Sequence, residues 1–494
     1  MKRRAFLQAS AGVAALWPMK MVMADATGAS LPDIIGTTLI DGQVTLRSAA
    51  IRDLASSLRG AVLVSGHAGY DQARQVWNGM FDRHPALIVQ CASTSDVMRA
   101  VSFAREHELL TAIRCGGHSL SGKSTCDGGI VIDLSSMQSV RVDPNALTAR
   151  VEGGTLLRHL DRETRAFGLV TTAGTVSHTG VGGLTLGGGF GRVARRFGLA
   201  CDNVRAVDVV TADGKLVTAD AVQNPDLLWA VRGGGGNFGV VTSFEFQLHP
   251  MDATVLGGRI AWPYAQIRDV LEFYAEFSAR APDELNCDPA ILPGGPDGKG
   301  MVVVETCWSA DKNAGERVLQ PLRALGKPLF DQIGAKSYVA LQSQSDEANA
   351  FGRRFYGKSG FLGELRQADI DTLIEVSAST VPAGVALVMQ QGGGAIGRAP
   401  IDSAAFANRN ARYWTMVAKG WTDPSEDARH IGNVRMAWKQ VEPRTDGFYV
   451  NAMADDEFKR VAGNYGSNYP RLAKIKRRYD PGNLFRLNAN ILPA

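Results

Sequence analysis

The chain has 494 residues, of which 45% are hydrophobic and 21% are charged. These values are ordinary for a globular protein, and the length allows two or three domains with sizeable cores. Its 53 Lys and Arg residues exceed its 49 Asp and Glu residues by only four, so a basic surface for nucleic acid is not expected.

Residues 1–26 are predicted to be an export signal. Basic residues at positions 2–4 precede a short apolar run, Ala9–Trp17, and small residues for cleavage follow at positions 24 and 26. The run is too short to span a bilayer. The letters "RRAFL" resemble the twin-arginine motif, with an ordinary secretory signal or anchor as the alternative. We expect an exported, periplasmic protein without stable membrane insertion after the signal is removed.

After a lead-in over residues 27–84, segments typical of strands and helices alternate across residues 85–250. "ALIVQC", "LLTAIRCGG" and "GGIVIDLS" are predicted strands, and "STSDVMRAVSFAREHE" has the capping residues and apolar spacing of a helix. "TLLRHLDRETRAFG" predicts another helix that ends at Gly168. "VRAVDVVTADG" and "VVTSFEFQLHP" predict two more strands.

Residues 251–445 have a different pattern. The predicted strands "LGGRIAW", "MVVVETCW" and "GVALVMQQ" alternate with amphipathic helices such as "YAQIRDVLEFYAEFSARA" and "PSEDARHIGNVRMAWKQV". This pattern predicts an α+β domain with an antiparallel sheet and helices on one face. Residues 446–494 end in a predicted helix and an extended tail.

Three glycine-rich stretches lie in residues 85–250: loop one (Arg114–Gly129), loop two (Gly174–Gly191) and loop three (Arg232–Thr242). Such loops can point successive N–H groups at one spot and bind phosphate, and three of them together predict a site for a large ligand. None is a G-x-G-x-x-G that opens a helix after a strand, and G-x-x-x-x-G-K-[ST] does not occur. These details argue against a nicotinamide-binding or P-loop protein.

The six cysteines are interpreted as buried free thiols. None forms a C-x-x-C pair, and no Cys/His group has zinc-binding spacing. We therefore expect no metal site.

Four segments resemble, in the same order, the berberine bridge enzyme-like FAD-linked oxidases of the vanillyl-alcohol oxidase type. They are "IRCGGHSLSGKSTCDGGIVIDLSSM", "GVGGLTLGGGFGRVARRFGLACDNV", "NPDLLWAVRGGGGNFGVVTSFEF" and "YPRLAKIKRRYDPGNLFRLNANILP". The resemblance implies an α+β fold with a two-part PCMH-type FAD-binding domain and an α+β substrate domain with an antiparallel sheet. Residues 85–250 and the returning segment 446–494 would form the first, and residues 251–445 the second.

The resemblance implies FAD bound covalently through His118, the histidine of the family's R-x-G-G-H-S motif. Many relatives add a second bond from a cysteine in loop two. Val176 stands at that position, so a single link is expected, and Cys201 lies too far along the chain to substitute. The implied cofactor-binding residues lie in loops one and two and in the C-terminal segment: Arg114, Gly116, Gly117, His118, Ser119, Gly122, Gly174, Thr175, Gly180, Val181, Gly182, Gly183, Gly187, Asn488 and Asn490. The two asparagines, two positions apart in an extended tail, could share one face.

The implied reaction is hydride transfer to the flavin from a small organic alcohol, lactol or amine. A general base would take the substrate proton where one exists. Relatives often have a tyrosine at the positions of Ala452, in a predicted strand "FYVNAM", and of Phe190. Both phenols are missing, so the base stays open among His178, Tyr356 and Tyr413. Gln390 and Gln391, in a strand expected to line the substrate cavity, could orient the substrate but are poor bases. A substrate amine that arrives unprotonated would need no base.

The electron acceptor is expected to be oxygen. In this family, access of oxygen depends partly on the residue at the position of Thr179, where small residues favour reaction with oxygen and leucine does not. A periplasmic dehydrogenase that uses a quinone or cytochrome is the alternative. A flavin-binding protein without turnover is an alternative of another class.

Overall fold

The computed structural model describes residues 32–295, 298–453 and 460–494. The predicted export signal, residues 1–26, lies outside these ranges. Within them, no helix combines the length and the apolar character needed to cross a membrane. All six cysteines lie in the described ranges and are free, and five of them are buried, as predicted.

The N-terminal part builds a four-stranded sheet in the order β3-β4-β6-β5, in which the last three strands run parallel. Ser93 begins the helix α3, since its hydroxyl accepts the backbone N–H of Asp96. The elements of this part are β1 (Ile34–Thr37), β2 (Gln43–Leu46), α1 (Ser48–Ser56), β3 (Ala61–Leu63), α2 (Tyr70–Arg74), β4 (Leu87–Gln90), α3 (Thr94–Glu106), β5 (Thr111–Arg114) and β6 (Ile130–Asp133). Loop one is therefore the connection between two parallel neighbours, β5 and β6.

A five-stranded antiparallel sheet follows, in the order β11-β10-β12-β8-β7. Phe244 and Phe246 of β12 pack under helices of this part, because alternate residues of a strand point to the same face. Its elements are β7 (Val140–Asp143), β8 (Thr148–Glu152), α4 (Leu157–Arg165), β9 (Leu169–Val170), α5 (Val181–Leu186), α6 (Ala194–Phe197), β10 (Val204–Val210), β11 (Leu216–Ala219), α7 (Pro225–Val231), β12 (Val240–Gln247) and β13 (His249–Pro250). Loop two contains α5, which we did not predict, and loop three runs directly into β12 as expected.

Residues 254–441 form an eight-stranded antiparallel sheet with β17-β14-β16-β15-β20-β21-β19 in order and β18 beside β14. The helices α8, α9, α11 and α13 cover one face and build the largest core cluster. The elements are β14 (Thr254–Pro263), α8 (Ile267–Ala279), β15 (Leu285–Leu292), β16 (Met301–Trp308), α9 (Lys312–Arg323), β17 (Phe330–Asp331), β18 (Gly334–Ser337), α10 (Tyr338–Gln342), β19 (Arg354–Leu362), α11 (Gln367–Thr380), β20 (Ala386–Gln391), α12 (Ala395–Arg398), β21 (Tyr413–Trp421) and α13 (Asp427–Val441). The predicted fold class, α+β with an antiparallel sheet beneath helices on one face, is confirmed.

The chain ends with α14 (Val461–Tyr465), α15 (Tyr469–Tyr479) and a tail that returns to loop three. The Asn237 side chain donates to the carbonyl of Ala489 and accepts the N–H of Ile491. Two local predictions here are wrong. "FYVNAM" contains a 3₁₀ turn at Val450–Ala452 instead of a strand, and the tail bends at residues 487–489 instead of continuing extended.

Candidate functional site

The three glycine loops meet at one cavity of about 910 Å³, which lies between them and the uncovered face of the large sheet. Loop one contributes residues 115–121, loop two contributes residues such as Gly174 and Gly182, and loop three contributes Gly235, Gly236 and Gly239. This volume lies near the upper end of the range of about 300–1,000 Å³ for ligand pockets. The sequence prediction of one large ligand site is thus matched by a single space that all three loops border.

Glycine is required where loops one and two pass each other. A Cβ atom on Gly116 would lie 2.4 Å from the backbone nitrogen of Gly180, and one on Gly180 would lie 2.4 Å from the sulfur of Cys115. No side chain fits at those distances. The two glycines therefore allow the backbones of loops one and two and the Cys115 thiol to pack side by side at the edge of the cavity.

His118 lies in the cavity wall, and other side chains contact its ring on several sides. Its imidazole stacks on Trp77 with 5.2 Å between ring centroids, and Phe351 approaches it edge-on at 5.4 Å. Its Nε2 lies 2.7 Å from Nδ1 of His178, so one of these rings donates to the other. Burial, and to a lesser degree the neighbouring His178, lower the pKa of His118 to about 3. His118 is therefore neutral at physiological pH.

Loop two is clamped beside this histidine pair. Both the backbone N–H and the hydroxyl of Ser177 donate to the carboxylate of Asp346, at 2.8 and 2.5 Å. The next residue, His178, does not border the cavity itself. His178 contacts His118 and lies outside the cavity wall, whereas a substrate base would have to reach the cavity.

The sheet side of the cavity carries a row of polar side chains across five neighbouring strands. Arg259 on β14 is paired in register with Glu305 on β16, which is paired with Asp288 on β15. The register of β15 with β20 brings Gln390 next to Asp288, and Gln390 is paired with Trp414 on β21. All five residues border the cavity, and we call them the transverse row.

The two carboxylates of the row have opposite surroundings. Burial would raise the pKa of Glu305, but Arg192 and Arg259 hold it below its ordinary value. For Asp288, burial dominates and raises the pKa to about 6, since its hydrogen bonds from Gln391 and Asn286 offset only part of that cost. Asp288 is thus a carboxyl group that is ionised at neutral pH yet retains affinity for a proton.

The structure places many of the predicted site residues on the cavity. Gln390 and Thr179 are the two catalytic candidates among them. The cofactor candidates that border it are Gly116, Gly117, His118, Ser119, Gly174, Thr175, Gly180, Gly182, Gly183 and Asn488.

Five predicted cofactor residues do not border the cavity. Arg114 turns its guanidinium to the carbonyl of Ala73, behind loop one. A Cβ on Gly122 or Gly187 would meet Phe81 or the Asn451 amide, so these two glycines make room for protein. Val181 is buried in the core, and Asn490 lies beyond the bend that ends the expected alternation with Asn488.

Three catalytic candidates, Gln391, Tyr413 and Tyr356, do not border the cavity and lie on the helix-covered face of the sheet. Gln391 uses its amide on the backbone of Cys287 and Ser278. Tyr413 bonds the Ser278 hydroxyl at 2.6 Å, and the Tyr356 hydroxyl accepts a hydrogen bond from Arg435. The period of two in a strand assigns Gln390 and Gln391 to opposite faces, and only the sheet order shows which one is inside.

Sequence reasoning missed several residues of the cavity. Asp288 and Glu305 stand alone as acids in apolar strands, "NCDPAIL" and "VVVETCW", and this pattern could have marked them. Tyr449 also borders the cavity, three positions before Ala452, and its hydroxyl accepts N–H groups of Gly189 and Asn451. Burial raises the pKa of Tyr449 to about 12, which makes it a poor base.

Comparison with known proteins gives a consistent set of similarities. The family profile described as "FAD binding domain" matches residues 85–220, and the one described as "Berberine and berberine like" matches residues 448–492. The chain is 32% identical to an FAD-linked oxidoreductase of Dictyostelium discoideum, over 90% of this chain and 97% of that one. It is 30% identical to (R)-6-hydroxynicotine oxidase of Paenarthrobacter nicotinovorans, over 88% and 97%. The structure of 6-hydroxy-D-nicotine oxidase from Arthrobacter nicotinovorans superposes with a TM-score of 0.81 at 29% identity, covering 89% of this chain and 99% of that one.

Proposed function

Because the chain belongs to the berberine bridge enzyme-like family of FAD-linked oxidoreductases, we propose that it is an oxidase that holds FAD covalently through His118 and oxidises a small organic alcohol or amine. The observation that carries this proposal is the convergence of the three glycine loops on one cavity with His118 in its wall. When bound, FAD supplies the chemistry of accepting hydride from a substrate carbon and passing electrons to oxygen. Binding, orientation and proton transfer are left to the protein.

The residues present fit such a cofactor. Asn488 borders the cavity, and its side-chain oxygen is buried without a hydrogen-bond partner in the described part of the chain. A buried acceptor of this kind is costly unless a bound group donates to it. Glycines of loops one to three border the same space, and glycine-rich loops of this kind can point backbone N–H groups at a bound anion. We assign to loops one, two and three the role of holding the cofactor.

Covalent attachment is supported by the state of His118. A neutral imidazole has one ring nitrogen with a free lone pair and one that carries the proton. Contact with His178 at 2.7 Å engages Nε2, and stacking on Trp77 fixes the ring plane. The ring is thus presented to the cavity in one orientation, as a nucleophile needs.

The test is retention of flavin after denaturation. Wild-type protein precipitated with acid is expected to stay yellow, and His118→Ala is expected to release its flavin under the same treatment. His107→Ala, which changes a histidine at the end of α3, is the matched control and should retain flavin. A wild-type protein that loses all of its flavin to the supernatant would show that the attachment is wrong.

Export by the twin-arginine route remains part of the proposal. It rests on the sequence "KRRAFLQASAGVAALW" near the start of the chain. Replacement of Arg3 and Arg4 by lysine should leave the full-length precursor in the cytoplasmic fraction, whereas the wild type should appear in the periplasmic fraction. Unchanged export of the double variant would indicate an ordinary secretory signal.

A further inference from the structure

We infer that Asp288 is the proton acceptor of the reaction, and that the substrate carries one reacting hydroxyl or amino group on an otherwise apolar body. This inference rests on the proposed function, since it assigns the base and the substrate class of that same site. It begins with the two carboxylates that border the cavity, Asp288 and Glu305.

Glu305 is already committed to other partners. One of its oxygens pairs with Arg192, whose side chain is fully buried, and the other accepts from Arg259 at 2.7 Å and from Gln344 at 2.8 Å. Two guanidinium groups stabilise its charged form and weaken it as a proton acceptor. Glu305 therefore balances the arginines of the transverse row.

The Asp288 carboxylate can accept further hydrogen bonds. One oxygen accepts the backbone N–H of Gln391 at 2.8 Å, and the other accepts the Asn286 amide at 2.9 Å. A carboxylate has about four lone-pair sites, so these two hydrogen bonds leave room for a substrate donor. These two bonds also fix the carboxylate in place at the cavity border.

Three other titratable groups in or near the cavity already have hydrogen-bond partners. His178 contacts His118, and the Tyr449 hydroxyl accepts N–H groups of Gly189 and Asn451. Lys419 borders the cavity but donates to the carbonyl of Ala383 at 2.6 Å. Asp288 is the group whose position and hydrogen bonds suit a base.

The substrate class follows from the walls around the transverse row. Apolar side chains of the same sheet border the cavity there: Leu292, Val303, Val388 and Met416. Trp414 is buried, and its indole N–H has no partner among the described residues. A sugar presents a hydroxyl on nearly every carbon, and those that face these apolar side chains would be left unpaired. An aromatic or aliphatic alcohol or amine can place its one polar group at Asp288 and its body against the apolar side chains.

The substrate O–H or N–H bond breaks and its proton passes to a carboxylate oxygen of Asp288. The C–H bond on the adjacent carbon breaks as the C–O or C–N bond becomes double, and FAD, when bound, would supply the acceptor for the hydride that leaves. Oxygen would be the final acceptor of these two electrons. Asp288 returns its proton to solvent before the next turnover.

The experiment compares wild type, Asp288→Asn and the control Asp283→Asn in the covalently loaded holoenzyme. Asp283 pairs with Arg398 away from the cavity. Anaerobic stopped-flow absorbance follows flavin reduction by benzyl alcohol, benzylamine and cellobiose. Wild type should be reduced by the alcohol or the amine and not by cellobiose. Asp288→Asn should slow this reduction by roughly 10²–10⁴-fold, and Asp283→Asn should leave it unchanged.

Two further readouts separate a base from a structural residue. The wild-type rate should fall as the pH drops below about 6, and Asp288→Asn should lack this dependence. Infrared difference spectra of the holoenzyme between pH 8 and pH 5 should show a carboxylic acid band that Asp288→Asn lacks. Equal flavin content in the variants shows that they fold, and Asp288→Ala provides a second variant if the first loses its flavin.

The outcomes distinguish the inference from the proposed function. If Asp288→Asn and Asp288→Ala are reduced as fast as wild type, the role of Asp288 is overturned while the proposed function stands. Reduction by cellobiose alone overturns the substrate class. Failure of all three probes to reduce a flavin-loaded wild type contradicts the proposed function, and the inference falls with it.

Discussion

Replacing Asp288 by asparagine is expected to stabilise the protein at pH 8 while it removes activity. The carboxyl group is surrounded by the cavity wall, with Glu305 and Arg192 as the charged groups that act on it. Burial dominates, and the folded state binds the Asp288 proton more tightly than the unfolded chain does. Asparagine has nearly the same shape and never ionises, so it avoids the cost of a buried charge.

The magnitude follows from the pKa. It rises from 3.8 to about 6 on folding, and at 1.36 kcal/mol per pH unit this difference amounts to about 3 kcal/mol. The stability contribution is present below pH 3.8, falls as the pH rises through this window, and is fully lost above about pH 6. Asparagine offers one acceptor oxygen to two donors, Gln391 and Asn286, which costs about 1 kcal/mol. The net gain of the variant at pH 8 is therefore about 2 kcal/mol.

The assay is urea denaturation of wild type and Asp288→Asn at pH 8 and at pH 5. The gain should shrink at pH 5, where wild-type Asp288 is mostly protonated in the folded state. Asp220→Asn is a control with the opposite sign, because backbone N–H groups of Gln223 and Val222 lower the pKa of Asp220. That control should lose stability at pH 8. An Asp288→Asn variant that is less stable than wild type at pH 8, or equally shifted at both pH values, would refute the reasoning.

Three other predictions concern the cofactor. His178→Ala should bind FAD but attach less of it covalently, because His118 loses the partner at 2.7 Å; flavin fluorescence of the denatured protein band measures this, and an unchanged covalent fraction would contradict it. Peptide mass mapping should find FAD on the peptide of His118 alone; the thiol to watch is Cys115 in the cavity wall, whose pKa burial raises to about 11, and a flavin bridged to it would refute the single link. Thr179→Leu should slow reoxidation of the reduced enzyme in air-saturated buffer, since leucine adds bulk at the cavity border. A wild-type flavin that stays reduced for minutes in air, yet is reoxidised at once by a quinone, would favour a dehydrogenase.

The glycine loops and His118 could be recognised from the sequence because they are local. A cluster of glycines around one histidine reports a backbone that must pass close to something, whatever the rest of the chain does. Three strands of the large sheet, β14, β16 and β20, were predictable for the same reason, because a local apolar pattern marks each of them. The thiols followed from spacing alone and are free as expected.

The base of the site could not be predicted in this way. Gln391 occupies a position in the predicted strand "GVALVMQQ" as suitable as that of Gln390, but helices cover its face, and they cover Tyr413 on the same face. Asn490 does not border the cavity, because three bent residues before it end the alternation on which the prediction depended. Each of these outcomes depends on which neighbour covers which face, and no short stretch of sequence contains that information.

The sequence by itself therefore determined the family, the α+β class and the histidine at the cavity, since each is encoded in contiguous residues. Only the tertiary structure decided that Arg259, Glu305 and Asp288, which come from three strands up to 46 positions apart, lie side by side across the sheet. The physical reason is that strand register aligns residues without regard to their separation along the chain. The pKa of each carboxylate depends on its neighbours in the fold, because two arginines lower the pKa of Glu305 while burial raises that of Asp288.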